Sequence, residues 1–378
     1  MKKTMNILYL RKIPTTLLVW IGLPLFFLIV MELIARMGFG NPSVRQFWYK
    51  GAEDTVSSSK IDYIFIGSSR VAAAIHPISF LEVLFPHQKR PLTALNLGRG
   101  YSTMAQHFLG LRNMLSVAPQ NLQSTTIFIS TETGLPPHDT WKTKWEHPVH
   151  PLMIIPLLKL SDVIRLWQIT GLPLEEKLNL TKLYFNKVSV ALSNRELIRA
   201  RFLQGGTQSS INLLMKTGVI SSGENVKPIT DDLTTAGGIR NDVDGVTQAR
   251  SLAIKLAQSD MENEQPIRNW EQSILAELVE IVTKNGGKVI FFDTPISSVQ
   301  ARPMQTSLRR EDRKIFEQQV RVWCSTILRP NFVYRDLDIP DLWHLKRSLA
   351  PEFTASLAEE YIQYLNSFNS DNSIKSCE

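Results

Sequence analysis

The stretch Asp62-Tyr-Ile-Phe-Ile-Gly-Ser-Ser-Arg70 (DYIFIGSSR) decides the fold. Tyr63 to Ile66 form an unbroken run of aromatic and β-branched side chains, with none of the polar alternation that a half-exposed strand shows. A strand covered on both faces reads this way, and such strands belong to parallel sheets. The three small residues that follow let the backbone bend sharply and present a hydroxyl. Working outward, four further runs share the pattern: Ala94 to Leu97 (ALNL), Thr126 to Ser130 (TIFIS), Lys288 to Phe292 (KVIFF) and Phe332 to Arg335 (FVYR). Helical patterns lie between them at Ala105 to Leu115, Ile267 to Val282 and Pro351 to Leu365. Strand and helix in alternation predict an α/β fold on a parallel sheet.

More than one crossover helix fits between the third and fourth strands, so residues 135–279 are expected to be a mostly helical insertion. Ahead of the sheet, nineteen uncharged residues, IPTTLLVWIGLPLFFLIVM, run from Ile13 to Met31. At about 1.5 Å per residue they nearly match the ~30 Å hydrocarbon layer, and a transmembrane anchor is expected over 13–34. A cleaved signal peptide is the rival reading, but its apolar region is usually shorter and ends at small residues. Lys2, Lys3, Arg11 and Lys12 precede the run, against Glu32 and Arg36 just after it, so residues 1–12 are expected in the cytoplasm and everything after residue 40 outside it. A polar tether is expected at about 35–60, and a flexible tail at 367–378.

The 378 residues carry 42 Lys and Arg against 35 Asp and Glu, a net +7. Four of those cations precede any acid, which leaves +3 for the remainder and argues against nucleic acid as a charge-driven partner. The two cysteines, Cys324 and Cys377, have no redox or zinc spacing, so neither a disulfide framework nor a metal site is expected.

In open parallel sheets the working residues gather beyond the carboxyl ends of the strands. The first strand is followed by Gly67-Ser68-Ser69-Arg70 and the second by Asn96-Leu97-Gly98-Arg99-Gly100. Asp341-Leu342-Trp343-His344 precedes the final helix. A serine, a general base and a carboxylate that orients the base are the minimum for nucleophilic acyl transfer, with glycine amides as oxyanion donors. Each piece alone has a plainer reading: small residues cap helices, and a D-x-x-H holds a turn. Their order and placement together favour chemistry.

G-S-S, then N-x-G-x-G, then D-x-x-H resembles the SGNH, or GDSL-type, esterase superfamily over residues 61–134 and 280–366. The resemblance implies a flavodoxin-like sheet, Ser69 as nucleophile, His344 as base, Asp341 as its orienting acid, and Gly100 or Gly98 at the oxyanion hole. No cofactor is implied. Where the family usually carries G-x-N-D, this chain reads Ser130-Thr131-Glu132-Thr133, so the third oxyanion donor is missing. A carboxylate there must be neutralised, and Glu132 is expected to pair with Arg70 or Arg99. The combination of one N-terminal anchor, G-S-S and a C-terminal D-x-x-H also resembles exported polymer-acylation proteins such as the membrane protein of teichoic-acid D-alanylation. An acylated cell-envelope glycan or a lipid-linked substrate is therefore expected, with a membrane acyltransferase as a possible partner. Hydrolysis and acyl transfer stay open, as does a non-catalytic accessory role.

Other motifs read as structure. Asn96 to Gly100 lacks the third glycine of a dinucleotide fingerprint. His138, His147 and His150 sit among prolines that oppose a ligating helix. Asp242-Val243-Asp244-Gly245 has Arg240 and Ser251 at calcium-loop ligand positions and is expected to be a turn. Trp141 and Trp145 are read as loop packing before sugar stacking.

Overall fold

The computed structural model describes residues 26–30, 32–33, 50–87, 90–99, 102–132, 134–136, 157–168, 174–189, 243–262, 269, 271 and 273–370. In chain order the helices are α1 (Lys50–Ser58), α2 (Ser69–Ala74), α3 (Pro77–Leu84), α4 (Met104–Val117), α5 (Leu160–Gln168) and α6 (Leu174–Val188). They continue with α7 (Val243–Glu262), α8 (Ile274–Lys284), α9 (Ser298–Ala301), α10 (Ser307–Val322) and α11 (Ala350–Ser370). The strands are β1 (Tyr63–Ile66), β2 (Ala94–Asn96), β3 (Thr126–Thr131), β4 (Lys288–Asp293) and β5 (Ile327–Leu328).

The fold is α/β: the five strands are all parallel, in the order β2-β1-β3-β4-β5. Every residue of β1 and β3 is buried, as their unbroken apolar sequences require. Side chains alternate across the sheet. One face carries Phe65, Phe128 and Phe292, and α3 and α11 cover it with Phe80, Phe353 and Tyr361. Phe65 stacks on Phe128 at 4.9 Å and meets Phe80 edge-on at 4.9 Å. Truncating the fully buried Phe80 to Ala removes the hub of this cluster, a change that costs about 3–5 kcal/mol. On the opposite face Phe291 packs edge-on against Phe316 of α10, and α4 packs on α8.

Contacts divide the chain into two units, residues 1–46 with 158–223, and residues 47–157 with 224–378. Residues 135–279, the expected insertion, are divided between the two units. In the first unit, α5 and α6 form a helical pair. In the second, α7 packs on α9 and on the turn Arg302–Gln305. Val243, Asp244 and Gly245 open α7, which corrects their reading as part of a turn.

Three other expectations change. The fifth strand is Ile327–Leu328, not Phe332–Arg335. A left-handed residue, Cys324 at φ 52°, turns the chain back after α10, and Phe291 N–H donates to the Thr326 carbonyl at 2.9 Å. Pro330 has no N–H to extend the ladder. Phe332 and Tyr334 still point inward while Val333 is 89% exposed, an alternation that imitates a strand. Phe332 lies 5.5 Å from Phe353, and the Tyr334 hydroxyl bridges the Ile296 amide and carbonyl at 3.1 Å each.

Part of the tether is helix: α1 buries Ala52 and Val56 and packs on α4, and Asn121 Nδ2 donates to the Val56 carbonyl at 2.7 Å. Cys324 is disulfide-bonded, against the expectation drawn from cysteine spacing. Of the expected anchor only 26–30 and 32–33 are described, and no helix among the described residues is long and apolar enough to cross a membrane.

Candidate active site

The turn after β1 is built from its carbonyls outward. The Gly67 carbonyl accepts from the Arg99 amide at 3.1 Å, from the Ser102 hydroxyl at 2.7 Å and from His107 Nε2 at 3.1 Å. Because that oxygen can only accept, His107 Nε2 carries a proton when it bonds there. Its burial pushes the imidazole down to about 4, against the opposing pull of the Gly67 hydrogen bond. Glycine is required at 67 by space: a Cβ would lie 2.2 Å from Ser130 Oγ. Gly98 is required likewise, since its Cβ would sit 2.4 Å from the Ala72 amide nitrogen.

Asn96 fastens the same region. Its Nδ2 donates to the Val71 and Ile75 carbonyls at 3.1 and 2.9 Å, and its Oδ1 accepts from the Gly98 amide at 2.9 Å. The Gly98 amide is thus already committed, and Gly100 lies outside the described residues.

The two serines divide their work. Ser68 is the N-cap of α2, its hydroxyl accepting from the Arg70 amide at 3.3 Å. Ser69 is the first helical residue and half-buried, and no hydrogen bond among the described residues engages its hydroxyl.

The second half of the site is the loop before α11. Asp341 Oδ1 accepts from the Trp343 and His344 amides at 2.9 and 2.8 Å, while Oδ2 accepts from His344 Nδ1 at 2.5 Å. Burial pushes the Asp341 carboxyl up, but these hydrogen bonds outweigh it and hold the group below its ordinary value. With Nδ1 protonated toward Asp341, Nε2 is the basic nitrogen of His344. That atom is buried and has no hydrogen-bond partner, so it makes no bond to Ser69 in this state. Leu342 sits at φ 64°, a strained value for a branched residue, and its carbonyl is held by the Ser297 hydroxyl at 2.9 Å.

Arg70 joins the two halves. Its side chain and that of Glu132 are 6% and 12% exposed and form an ion pair, one of the two pairings expected for Glu132. The Arg70 guanidinium carbon lies 5.1 Å from the Trp343 ring centroid, and Nη2 donates to Gln300 Oε1 at 3.3 Å. The short turn Arg347–Leu349, just past His344, packs on α2. Glu132 is set by an antiparallel bridge to Leu135, with N···O distances of 2.7 and 3.2 Å. The Arg99 amide serves the Gly67 carbonyl, and burial draws the Arg99 guanidinium below its ordinary value.

No protein-family model and no curated protein matches this chain. The site must therefore be read from its own geometry. Among the described residues no group of three or more His, Cys, Asp or Glu could hold a metal. His138, His147, His150, Trp141 and Trp145 lie outside the described residues.

Ser102, His107, Ser297, Gln300 and Trp343 carry no motif, and sequence reasoning did not find them. A signal that could have marked the start of α4 is Thr103 three residues before Gln106, the spacing of the capping box these two form.

His107 yields a pH prediction. Between about 4 and 6.5 the unfolded chain binds a proton that the folded one refuses, so its contribution is complete above 6.5 and is lost as pH falls toward 4. The part due to His107 amounts to about 3 kcal/mol. Urea midpoints for wild type and His107→Gln, measured at neutral and mildly acidic pH, should converge on acidification. Parallel curves would contradict this.

Proposed function

We propose that the chain is a membrane-anchored, extracytoplasmic SGNH-type esterase or O-acyltransferase acting on an acylated cell-envelope glycan or lipid-linked substrate. The observation that carries the reading is the Asp341–His344 hydrogen bond, which leaves a buried Nε2 lone pair without a partner. The strand order 2-1-3-4-5 is that of flavodoxin-like sheets, in which ligands meet the carboxyl ends of the strands near β1 and β3. Ser69 follows β1 and Glu132 follows β3.

In this mechanism Ser69 Oγ attacks an acyl carbonyl while His344 Nε2 takes its proton. The Ser69 amide, with Gly100, receives the developing oxyanion. The tetrahedral intermediate collapses as His344 returns the proton to the leaving alcohol, and an acyl-serine remains. Water or a polymer hydroxyl then attacks with His344 again as base, which separates hydrolysis from transfer. Asp341 holds the imidazole tautomer and stabilises the imidazolium. Arg70 cancels the charge of Glu132, which otherwise raises the barrier to an oxyanion nearby by repulsion.

The extracytoplasmic placement draws support from the cations ahead of residue 13 and from the bonded state of Cys324, since disulfides persist in oxidising compartments. A second reading, an accessory protein that partners a membrane acyltransferase, is favoured by one observation: Ser69 and His344 are not hydrogen-bonded.

The test is the ester content of envelope polymers in cells that carry either the wild-type chain or Ser69→Ala at equal abundance. The catalytic reading expects the variant to match cells lacking the chain. An ester content equal to wild type would favour the accessory role.

A further inference from the structure

Helices α5 and α6 form a pair in the first unit, yet each leaves an apolar stripe in solvent. On α5 the stripe is Leu160, Ile164 and Trp167, which are 53%, 52% and 45% exposed. Their spacing of four and three places them on one face, and Val163 and Asp162 occupy the buried side. On α6 the stripe is Leu174, Leu178, Phe185 and Val188, again one face, opposite the buried Leu180 and Leu183.

The stripes are continuous. Trp167 Nε1 donates to Thr181 Oγ1 at 2.9 Å, and Thr181 lies within the angular range of the α6 stripe, so the indole bridges the two helices. Lys187 Nζ ties α6 back to the Leu158 carbonyl at 2.7 Å. An apolar surface of this length on a packed pair is a binding face.

What covers it is indicated by where α6 ends. Ser189 Oγ donates to Glu32 Oε2 at 2.7 Å, and Glu32 is the first charged residue after the apolar run 13–31. Phe26, Phe27, Leu28 and Ile29, on the same unit, are themselves more than half exposed, with values from 52% to 65%. We propose that the α5–α6 pair lies in the outer headgroup layer of the bilayer, its Leu160–Trp167 and Leu174–Val188 stripes buried in lipid beside the exit of the anchor.

The proposal rests on the anchor reading of residues 13–34 and adds a second membrane contact to it. A tryptophan at the junction of apolar and polar faces suits the interfacial layer, and residues 158–189 carry five Lys and Arg against three acids, which suits anionic headgroups.

The test uses the full chain in vesicles of phosphatidylethanolamine with phosphatidylglycerol, spin-labelled at one introduced cysteine: Ile164→Cys, Leu178→Cys, Gln168→Cys, Lys182→Cys or Phe27→Cys. Wild type taken through the same labelling under non-reducing conditions, which keep the Cys324 disulfide, sets the background. Collisions with oxygen, which concentrates in lipid, should exceed those with a water-soluble nickel chelate at 164 and 178. The order should reverse at 168 and 182. Nickel dominance at 164 and 178 with oxygen dominance at 27 would overturn the proposal and leave the anchor standing. Nickel dominance at 27 as well would remove the anchor and the proposal together. Labels at 164 and 178 shielded from both reagents would mean a protein covers the face, which also overturns it.

Discussion

Ser69→Ala and His344→Ala each lower the turnover of an activated ester by about 10⁶-fold where a triad operates in full, and the double variant loses little more. The non-additivity is the informative part, because nucleophile and base act in one step. Asp341→Asn falls by about 10⁴-fold, since Asn cannot hold the imidazole in the tautomer that leaves Nε2 basic. None of this should reflect unfolding in Ser69→Ala, because the Ser69 hydroxyl engages no hydrogen bond among the described residues. Ser68→Ala gives the opposite pattern: it removes an N-cap at a cost of about 1 kcal/mol and leaves the chemistry intact. Hydrolysis rates and urea midpoints on the same preparations separate the two serines.

Arg70→Met is expected to be strongly destabilising. It takes the Arg70 guanidinium away from the Glu132 carboxylate, whose side chain is 12% exposed. Breaking one side of a buried pair typically costs about 3–5 kcal/mol. It also removes the stacking contact on Trp343 and the donor to Gln300, so the loop bearing His344 loses a support. Replacing both charges, Arg70→Met with Glu132→Leu, should recover most of the stability, because two apolar groups need no partner. Failure of the double variant to recover would show that the guanidinium acts through its contacts with Trp343 and Gln300 and not through the pair. Glu132→Asn adds a catalytic readout: a rise in turnover would mark Asn as a better oxyanion neighbour than the ion pair.

The sheet was legible because β1, β3 and β4 are buried on both faces, and burial leaves a continuous apolar run in the sequence. The same logic failed at β5. Two residues are too few to make a run, while Phe332 and Tyr334 alternate with exposed Val333 and look like a strand without a neighbour to pair with. Helix α1 was hidden because, among its described side chains, only Ala52 and Val56 are buried, and the polar remainder reads as a linker.

In the site, the Asp341–His344 spacing was legible since three residues bring the two side chains together within one tight turn. The device that makes that turn was not. Leu342 adopts φ 64° because Ser297, distant in sequence, holds its carbonyl, and no local propensity encodes a left-handed leucine. The buried His107 beneath Gly67 was equally silent, because a lone histidine on a helix face carries no signal until the fold brings a carbonyl to it.

The central claim is that Ser69 is a nucleophile served by His344, and intact-mass analysis after exposure to a fluorophosphonate tests it most directly. A phosphonylated serine needs an oxygen nucleophile and a base, but no knowledge of the natural substrate. The account predicts a single adduct on wild type that maps to the peptide containing Ser69, persists in Ser68→Ala, and is absent from Ser69→Ala and His344→Ala. An adduct that survives Ser69→Ala, or no adduct on a folded wild-type chain, would contradict it.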